Sequence, residues 1–218
     1  MASAMLGLTA DRLALFALAS VLLAATPGPV WLYLISRTLA QGRRAGYFSM
    51  FGVAAGLSLH ATFAAFGLTV VLVAVPFAFD AIKLAGAAYL LWLAYTTVRG
   101  TGFTFTPQPL EPVRDRVLLR QAFIAAVVNP KVAVFYLSLF PQFVDPATGP
   151  VLGQSLMLGA IQVGTTALMD VALVTVAGLL AAWFAQRPLW LQLQRWFLGS
   201  AFGVLAVWLA LTPRQSSN

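Results

Sequence analysis

Long apolar runs, each able to cross a lipid bilayer as a helix, constrain the fold more than any other feature of the sequence. Of the 218 residues, 61% are hydrophobic and 9% are charged, whereas about a quarter are charged in soluble domains. A transmembrane helix needs about 20 apolar residues. Runs bounded by charges or by Pro and Gly predict six helices, over 13–36, 48–74, 81–98, 118–140, 152–184 and 191–211. We therefore predict an all-α membrane protein with six transmembrane helices and no separate soluble domain.

The basic residues between these runs predict how the helices are oriented. Assigning the loops alternately to two sides gives one side nine arginines and the other side three basic residues. The first set is Arg37, Arg43, Arg44, Arg99, Arg114, Arg116, Arg120, Arg187 and Arg195, and the second is Arg12, Lys83 and Arg214. Arginine-rich loops are typically cytoplasmic, so both termini are expected outside. The net charge of +7 is thereby assigned to membrane topology and not to nucleic-acid binding.

The first apolar run has the small-residue ending of a secretory signal peptide, ALASVLLAA, just before Thr26. The run continues through VWLYLIS, however, and the segment before it contains Asp11 beside Arg12. A retained first transmembrane helix is therefore expected.

The segment 100–117, rich in Pro and Thr, divides the chain into residues 1–99 and 118–218, with three predicted helices in each part. An odd number of helices inserts the second half upside down relative to the first, so similarity between the halves indicates an inverted repeat. AATPGPVWLYL aligns with AVVNPKVAVFYL on Pro27 and Pro130, and this pairs Thr26 with Asn129. We predict two inverted three-helix repeats joined by a cytoplasmic linker over 100–117.

Each half interrupts its first helix with proline at a similar depth. Proline has no amide hydrogen, so the carbonyls of Leu23, Ala25 and Ala126 lose their helical donors. The helix after each break begins with unpaired amides and a positive dipole end, which attract a carboxylate. Such groups persist in hydrocarbon only where protein, water or a ligand satisfies them. The breaks predict a polar cavity and a substrate site formed by Thr26, Pro27, Gly28, Pro29, Asn129 and Pro130, with simple helix kinks as the alternative.

Three ionisable residues lie deep in the predicted helices: His60, Lys131 and Asp170. A charge there costs at least about 2.5 to 3.5 kcal/mol, so such residues usually pair or line a pathway. Lys131 and Asp170 are predicted partners, either as a structural ion pair or as ligands for the carboxylate and ammonium of a zwitterion. His60 is either a hydrogen-bonded packing residue or a proton carrier. A dicationic substrate would need a second buried acid, and none is visible.

Other kinds of function fit the sequence less well. A metal or inorganic-ion exporter would need several carboxylate, His or thiolate ligands, and the chain has one His and no Cys. No helix shows a repeated polar stripe, which disfavours a channel. No nucleophile and base pair is recognisable, so an intramembrane enzyme is not expected. The GxxxG formed by Gly52 and Gly56 is predicted to pack helices inside the bundle, with a homodimer as the alternative.

Several of these segments together resemble a known family. TPGP, GRRAGYFSMFGVAAG, KLAGAAYLLWLAY and above all NPKVAVFYLSLFPQFVDP are similar to the LysE/RhtB-type family of small bacterial amino-acid exporters. The similarity runs from about Thr26 to the end of the sixth predicted helix. It implies export from the cytoplasm across the bacterial inner membrane, in exchange for protons. We expect no cofactor and no bound metal.

Members of this family handle homoserine and its lactone, threonine, leucine-like residues, or lysine and arginine. The family pattern carries over to Thr26 through Pro29, to Asn129, Pro130 and Lys131, and to Gly86 in the third helix. The charge inventory favours a neutral, zwitterionic substrate over a basic amino acid. Alternating access by rocking of the two halves is the expected mechanism, with Asp170, or alternatively His60, as the proton-coupling residue.

Overall fold

The computed structural model describes residues 6–74 and 110–185, together with isolated residues within 84–99 and 196–207. Every regular element in these ranges is helical, which confirms an all-helical fold for this part of the chain. The helices are α1 (Ala10–Ala25), α2 (Pro29–Gln41), α3 (Arg43–Ala74), α4 (Asp115–Val127), α5 (Pro130–Val134) and α6 (Val151–Ala185). α5 continues through a π-helical turn, Phe135–Leu139, into a 3-10 turn, Phe140–Phe143.

Two of these helices are long and apolar enough to cross a membrane by themselves. They are α3 over Arg43–Gly67 and α6 over Val151–Leu179. α1 with α2, and α4 with the segment Pro130–Phe143, qualify only as bent pairs, with bends of 54° and 47°. The described residues therefore contain two candidate spans, or four if each bent pair is one span.

The predicted helices over 81–98 and 191–211 lie outside the continuously described ranges, and Gly86 lies there too. The isolated residues described within them are helical: Leu84, Ala88, Leu91, Trp92, Tyr95, Val98, Trp196, Ser200, Gly203, Val204 and Val207. The linker 100–117 is described from residue 110 onward. The six-helix count, the inverted relation of the halves 1–99 and 118–218, and the location of the termini stay predictions.

The pair Gly52 and Gly56 lies where α3 packs against α4, the most extensive helix contact in the described part of the chain. A Cβ atom added at Gly52 would lie 2.8 Å from Ala122 Cβ, and one at Gly56 would lie 2.7 Å from Ala126 Cβ. Both distances are shorter than van der Waals contact, so only glycine allows this approach. Packing inside the bundle is confirmed for this motif, and a homodimer stays a prediction.

The core packs α1 against the segment Pro130–Phe143, which follows α4. Phe16 of α1 is fully buried. Its ring centroid lies 5.7 Å from those of Phe135 and Phe140 and 5.1 Å from that of Phe143. The two edge-on contacts, with Phe140 and Phe143, have the geometry that aromatic rings prefer. The two bent helices are therefore held together by aromatic packing.

Contacts at the two ends of the bundle agree with the alternate assignment of the loops. At one end Arg12 pairs with Asp145, at 3.3 Å. At the other end Arg44 pairs with Asp115, at 2.9 Å. Gly42, with φ of 83°, forms the tight turn between α2 and α3 at this second end. The start of α1 and the loop after α5 thus share one end, while the α2–α3 turn and the start of α4 share the other.

Arg37 differs from the expectation that it is a loop residue, because it is only 5% exposed. Its guanidinium donates to Gln121 Oε1 at 2.8 Å, to the Glu111 carbonyl at 2.8 Å and to Gln41 Oε1 at 3.2 Å. The end of the linker folds over the last turns of α2 and covers the side chain. Without Arg37 the count of basic residues is eight against three, so the predicted orientation is unchanged.

Candidate functional site at two broken helices

The first break separates α1 from α2 at the sequence TPGP. Thr26 ends α1, and its hydroxyl donates to the Leu22 carbonyl at 2.6 Å. Gly28 precedes α2 in an extended conformation, and Pro29 is the first helical residue, where its missing amide hydrogen costs nothing. Trp31 Nε1 donates back to the Ala24 carbonyl at 2.9 Å, across the break. The break predicted from sequence is confirmed, and local side chains hold its shape.

The second break separates α4 from α5 at Asn129. The Asn129 side chain accepts a hydrogen bond from the Lys131 amide at 3.1 Å, as an N-cap residue does. The backbone amide of Asn129 in turn donates to the Ala126 carbonyl at 3.2 Å. The prediction of a free acceptor at Ala126 is therefore wrong, because the chain turns back and supplies a donor of its own.

The acceptor that the second break does expose is the carbonyl of Val127. In a continuous helix the backbone amide of Lys131 would donate to this carbonyl, but it donates to the Asn129 side chain instead. His60 Nε2 from α3 lies 3.1 Å from this carbonyl. A carbonyl oxygen can only accept, so His60 donates and carries a hydrogen on Nε2. His60 therefore caps the broken end of α4.

Lys131 connects the second break to the first. Its Nζ donates to the Leu23 carbonyl at 2.7 Å and to the Thr26 carbonyl at 2.6 Å. The Leu23 carbonyl has no helical donor because Pro27 lacks an amide hydrogen, as the sequence predicts. The ammonium of Lys131 occupies this acceptor instead. Gly28 lies beside this ammonium, since an added Cβ there would be 3.8 Å from Nζ. A side chain from one half thus closes the break of the other half.

Asp170 of α6 is 2% exposed and forms no hydrogen bond with the described residues. Its charge interacts electrostatically with that of Lys131. The predicted direct ion pair is nevertheless not formed, because the lysine ammonium is held by the two carbonyls of the first break. Asp170 is therefore a buried carboxyl group near a cation that is bonded elsewhere.

A row of buried polar side chains on α6 leads to Asp170. Gln162, Thr166 and Asp170 are four residues apart and lie on one face of the helix. Tyr136 from the π-helical turn donates to Gln162 Oε1 at 2.7 Å, and Gln162 donates to Thr166 at 3.1 Å. The His60 ring stacks on that of Tyr136, with centroids 5.7 Å apart. The expectation that no helix has a polar stripe is therefore wrong, because these polar residues repeat every four positions along one face of α6.

The structure thus brings Thr26, Gly28 and Lys131 into one cluster, with Asp170 close enough to act on it electrostatically. Pro27 and Pro29 are half-buried at the same break, while Pro130 is exposed on the second. Asn129 is buried and serves as a helix cap. Within the described ranges, no cluster of three or more His, Asp or Glu side chains could hold a metal ion.

Apolar helices of membrane-spanning length, two of them broken and joined through Lys131, define a helical membrane protein with a polar site at its helix breaks. Residues 21–212 match the sequence profile of the LysE type translocator family. The chain belongs to this family, and the family predicted from its motifs is confirmed.

Similar proteins include two named for efflux. The homoserine/homoserine lactone efflux protein of Salmonella typhi is 30% identical over 195 residues, which are 89% of this chain and 94% of that protein. The leucine efflux protein of Salmonella choleraesuis is 29% identical over 145 residues, 64% of this chain and 66% of that protein. An uncharacterized membrane protein of Vibrio cholerae is 29% identical over 187 residues, 86% of this chain and 90% of that protein. No solved structure matches the chain.

Proposed function

We propose that this protein is a secondary active exporter of neutral, zwitterionic amino acids across the bacterial inner membrane. The observation that carries the proposal is the contact of Lys131 with the carbonyls of Leu23 and Thr26, beside the buried Asp170. Family membership supports translocation, and the relatives named for homoserine and leucine efflux support an amino acid as the substrate.

The charges at the breaks suit a substrate with one positive and one negative group. Lys131 would bind the α-carboxylate, and the carbonyls of the first break together with Asp170 would bind the α-ammonium. Asp170 is the only buried acid among the described residues. A substrate with a second cation, such as lysine, would lack a second acid, so a neutral amino acid is favoured over a basic one.

The transport mechanism that we propose is alternating access coupled to proton antiport. The two halves rock about the paired breaks, which are bent by 54° and 47° and so already divide their helices into separate segments. Asp170 takes up a proton from outside, loses its negative charge and releases the substrate ammonium. His60, which lies at the second break and is bonded to the Val127 carbonyl, is the alternative proton carrier. The arginine-rich end faces the cytoplasm, and both termini lie outside.

Transport by the purified protein in proteoliposomes tests the proposal. Liposomes are loaded with the common amino acids, homoserine or homoserine lactone, each radiolabelled, and efflux is followed with and without an imposed pH gradient. We expect gradient-stimulated efflux of one or more neutral amino acids, inhibited by the same compound unlabelled, and none from protein-free liposomes. Efflux of basic amino acids alone would overturn the substrate class. The absence of efflux for every compound would overturn the function.

A further inference from the structure

We propose that Lys131 is a tethered ammonium that occupies the substrate's own ammonium subsite, the carbonyls of Leu23 and Thr26, whenever the site is empty. The inference rests on the proposed function and adds to it the location of the subsite and a competitor built into the chain. Substrate binding is then an exchange, in which one ammonium replaces another.

The hydrogen-bonding chemistry of the two groups is the same. Lys131 Nζ donates to the Leu23 and Thr26 carbonyls at 2.7 and 2.6 Å, distances typical of strong, charge-assisted bonds. An α-ammonium has the same three donors and the same charge. The Leu23 carbonyl is available because Pro27 cannot donate to it, and the Thr26 carbonyl because α1 ends there. The acceptors are therefore a property of the break, and any primary ammonium that reaches them fits.

Space beside this subsite is provided by Gly28. An added Cβ at Gly28 would lie 3.8 Å from Lys131 Nζ and 3.9 Å from its Cε, so the glycine leaves a methyl-sized gap next to the ammonium. The backbone of Gly28 is extended, a conformation open to any residue, so no special dihedral angle requires glycine there. The gap is where the Cα of an incoming amino acid would lie.

The displaced lysine has a second place to go. Asp170 is 2% exposed, has no hydrogen bond or ion pair with the described residues, and interacts electrostatically with Lys131. When the substrate ammonium takes the carbonyls, Lys131 turns to the substrate carboxylate and to Asp170, whose carboxylate it then shares with the substrate ammonium. No charge is left unpaired by the exchange, which matters because unpaired charge is costly inside a membrane.

The exchange predicts how substrates without a carboxylate behave. An amine that lacks the carboxylate, such as homoserine lactone, offers Lys131 no new partner and must displace it without this gain. Removal of the lysine ammonium should therefore weaken binding of a zwitterion but strengthen binding of the corresponding amine. A lysine with a purely structural role, or one that binds only the carboxylate, does not predict the second effect.

Binding measurements on the full-length protein in lipid nanodiscs test the inference. The probes are homoserine with its lactone, and leucine with leucinamide, and Kd is measured for wild type and Lys131→Met. We expect Kd for homoserine and leucine to rise about tenfold, and Kd for the lactone and leucinamide to fall about threefold or more. An unchanged or raised Kd for both amines overturns the inference.

Lys131→Gln is the second variant, in case methionine leaves the first break too unstable to fold. Its neutral amide still donates to the carbonyls but binds them more weakly than an ammonium, so the changes in Kd keep the same directions and are smaller. Arg44→Gln is the control, since this exposed cation at the end of the bundle should leave every Kd unchanged. If wild type binds none of the four probes and the transport screen is also negative, the proposed function itself fails. If wild type binds them and only the opposite shifts are missing, the inference alone fails.

Discussion

Replacing Gly52 and Gly56 together by alanine should destabilise the protein, because α3 and α4 leave no room for two added methyl groups. The new Cβ atoms would lie 2.8 Å from Ala122 Cβ and 2.7 Å from Ala126 Cβ. Carbon atoms in contact prefer about 3.5 to 4.0 Å, so the helices would have to separate by roughly 1 Å. Overpacking costs about 1 to 3 kcal/mol a site, or about 2 to 6 kcal/mol for the pair if the two sites add.

Part of this cost is hidden by the gain in helix propensity, about 1 kcal/mol for each glycine replaced by alanine. The double variant Gly164→Ala with Gly178→Ala supplies the matched control. A Cβ at either position meets no described atom within 4 Å, so it has the gain in propensity without the clash. The difference in unfolding free energy between the two double variants isolates the steric cost.

Thermal unfolding in detergent, followed by tryptophan fluorescence, measures the difference, and size-exclusion chromatography reports the oligomeric state. We expect the Gly52 and Gly56 variant to melt at least roughly 4 °C below the control, with no change in oligomeric state. Equal melting temperatures would refute the packing argument. A changed oligomeric state at unchanged melting temperature would show that the glycines contact a second copy of the chain.

Three further sets of substitutions test the site and its surroundings. Asp170→Asn should abolish gradient-driven export while leaving membrane insertion intact, because the amide keeps the shape but cannot take up the coupled proton; uptake into everted vesicles measures this. Pro27→Ala with Pro29→Ala should restore the helical donors to the Leu23 and Ala25 carbonyls, which are then no longer available to an ammonium. We expect transport in the same vesicles to fall about tenfold. Arg37→Met should lower stability by about 1 to 3 kcal/mol in thermal unfolding, because Gln121 and its neighbours lose a buried, charged donor.

Each of these has an outcome that would contradict it. Asp115→Asn, which removes a partly exposed acid at the end of the bundle, is the control for Asp170 and should leave export unchanged. Unchanged export in Asp170→Asn would exclude this residue from proton coupling. Intact transport without Pro27 and Pro29 would mean that the first break is only a kink. An unchanged melting temperature in Arg37→Met would mean that its hydrogen bonds add nothing to the stability of the fold.

The helix breaks could be predicted from sequence because their cause is local and covalent. Pro27 and Pro130 lack an amide hydrogen in any environment, and both helix bends lie at these prolines. The polar row on α6 was equally accessible, because Gln162, Thr166 and Asp170 repeat at the helical spacing. Two of these residues are uncharged and each alone is ordinary in a membrane helix, so only their spacing indicates the row.

The contacts between the halves could not be predicted in the same way. Lys131 and Leu23 are 108 residues apart, and only the packed bundle decides that the ammonium reaches these carbonyls instead of Asp170. His60 likewise finds the Val127 carbonyl, an acceptor exposed only because Asn129 takes the neighbouring amide. A count of basic residues places Arg37 in a loop, because it cannot show that the linker folds back over this side chain.

The bonds from Lys131 to Leu23 and Thr26 also bear on how the protein is made. A ribosome delivers the first break to the membrane more than one hundred residues before the lysine that closes it. During that interval two backbone acceptors must keep water or another donor, because hydrocarbon offers none. We expect the N-terminal half, residues 1–99, to fold incompletely and to be degraded when it is expressed alone. It should become stable when residues 118–218 are supplied as a separate chain.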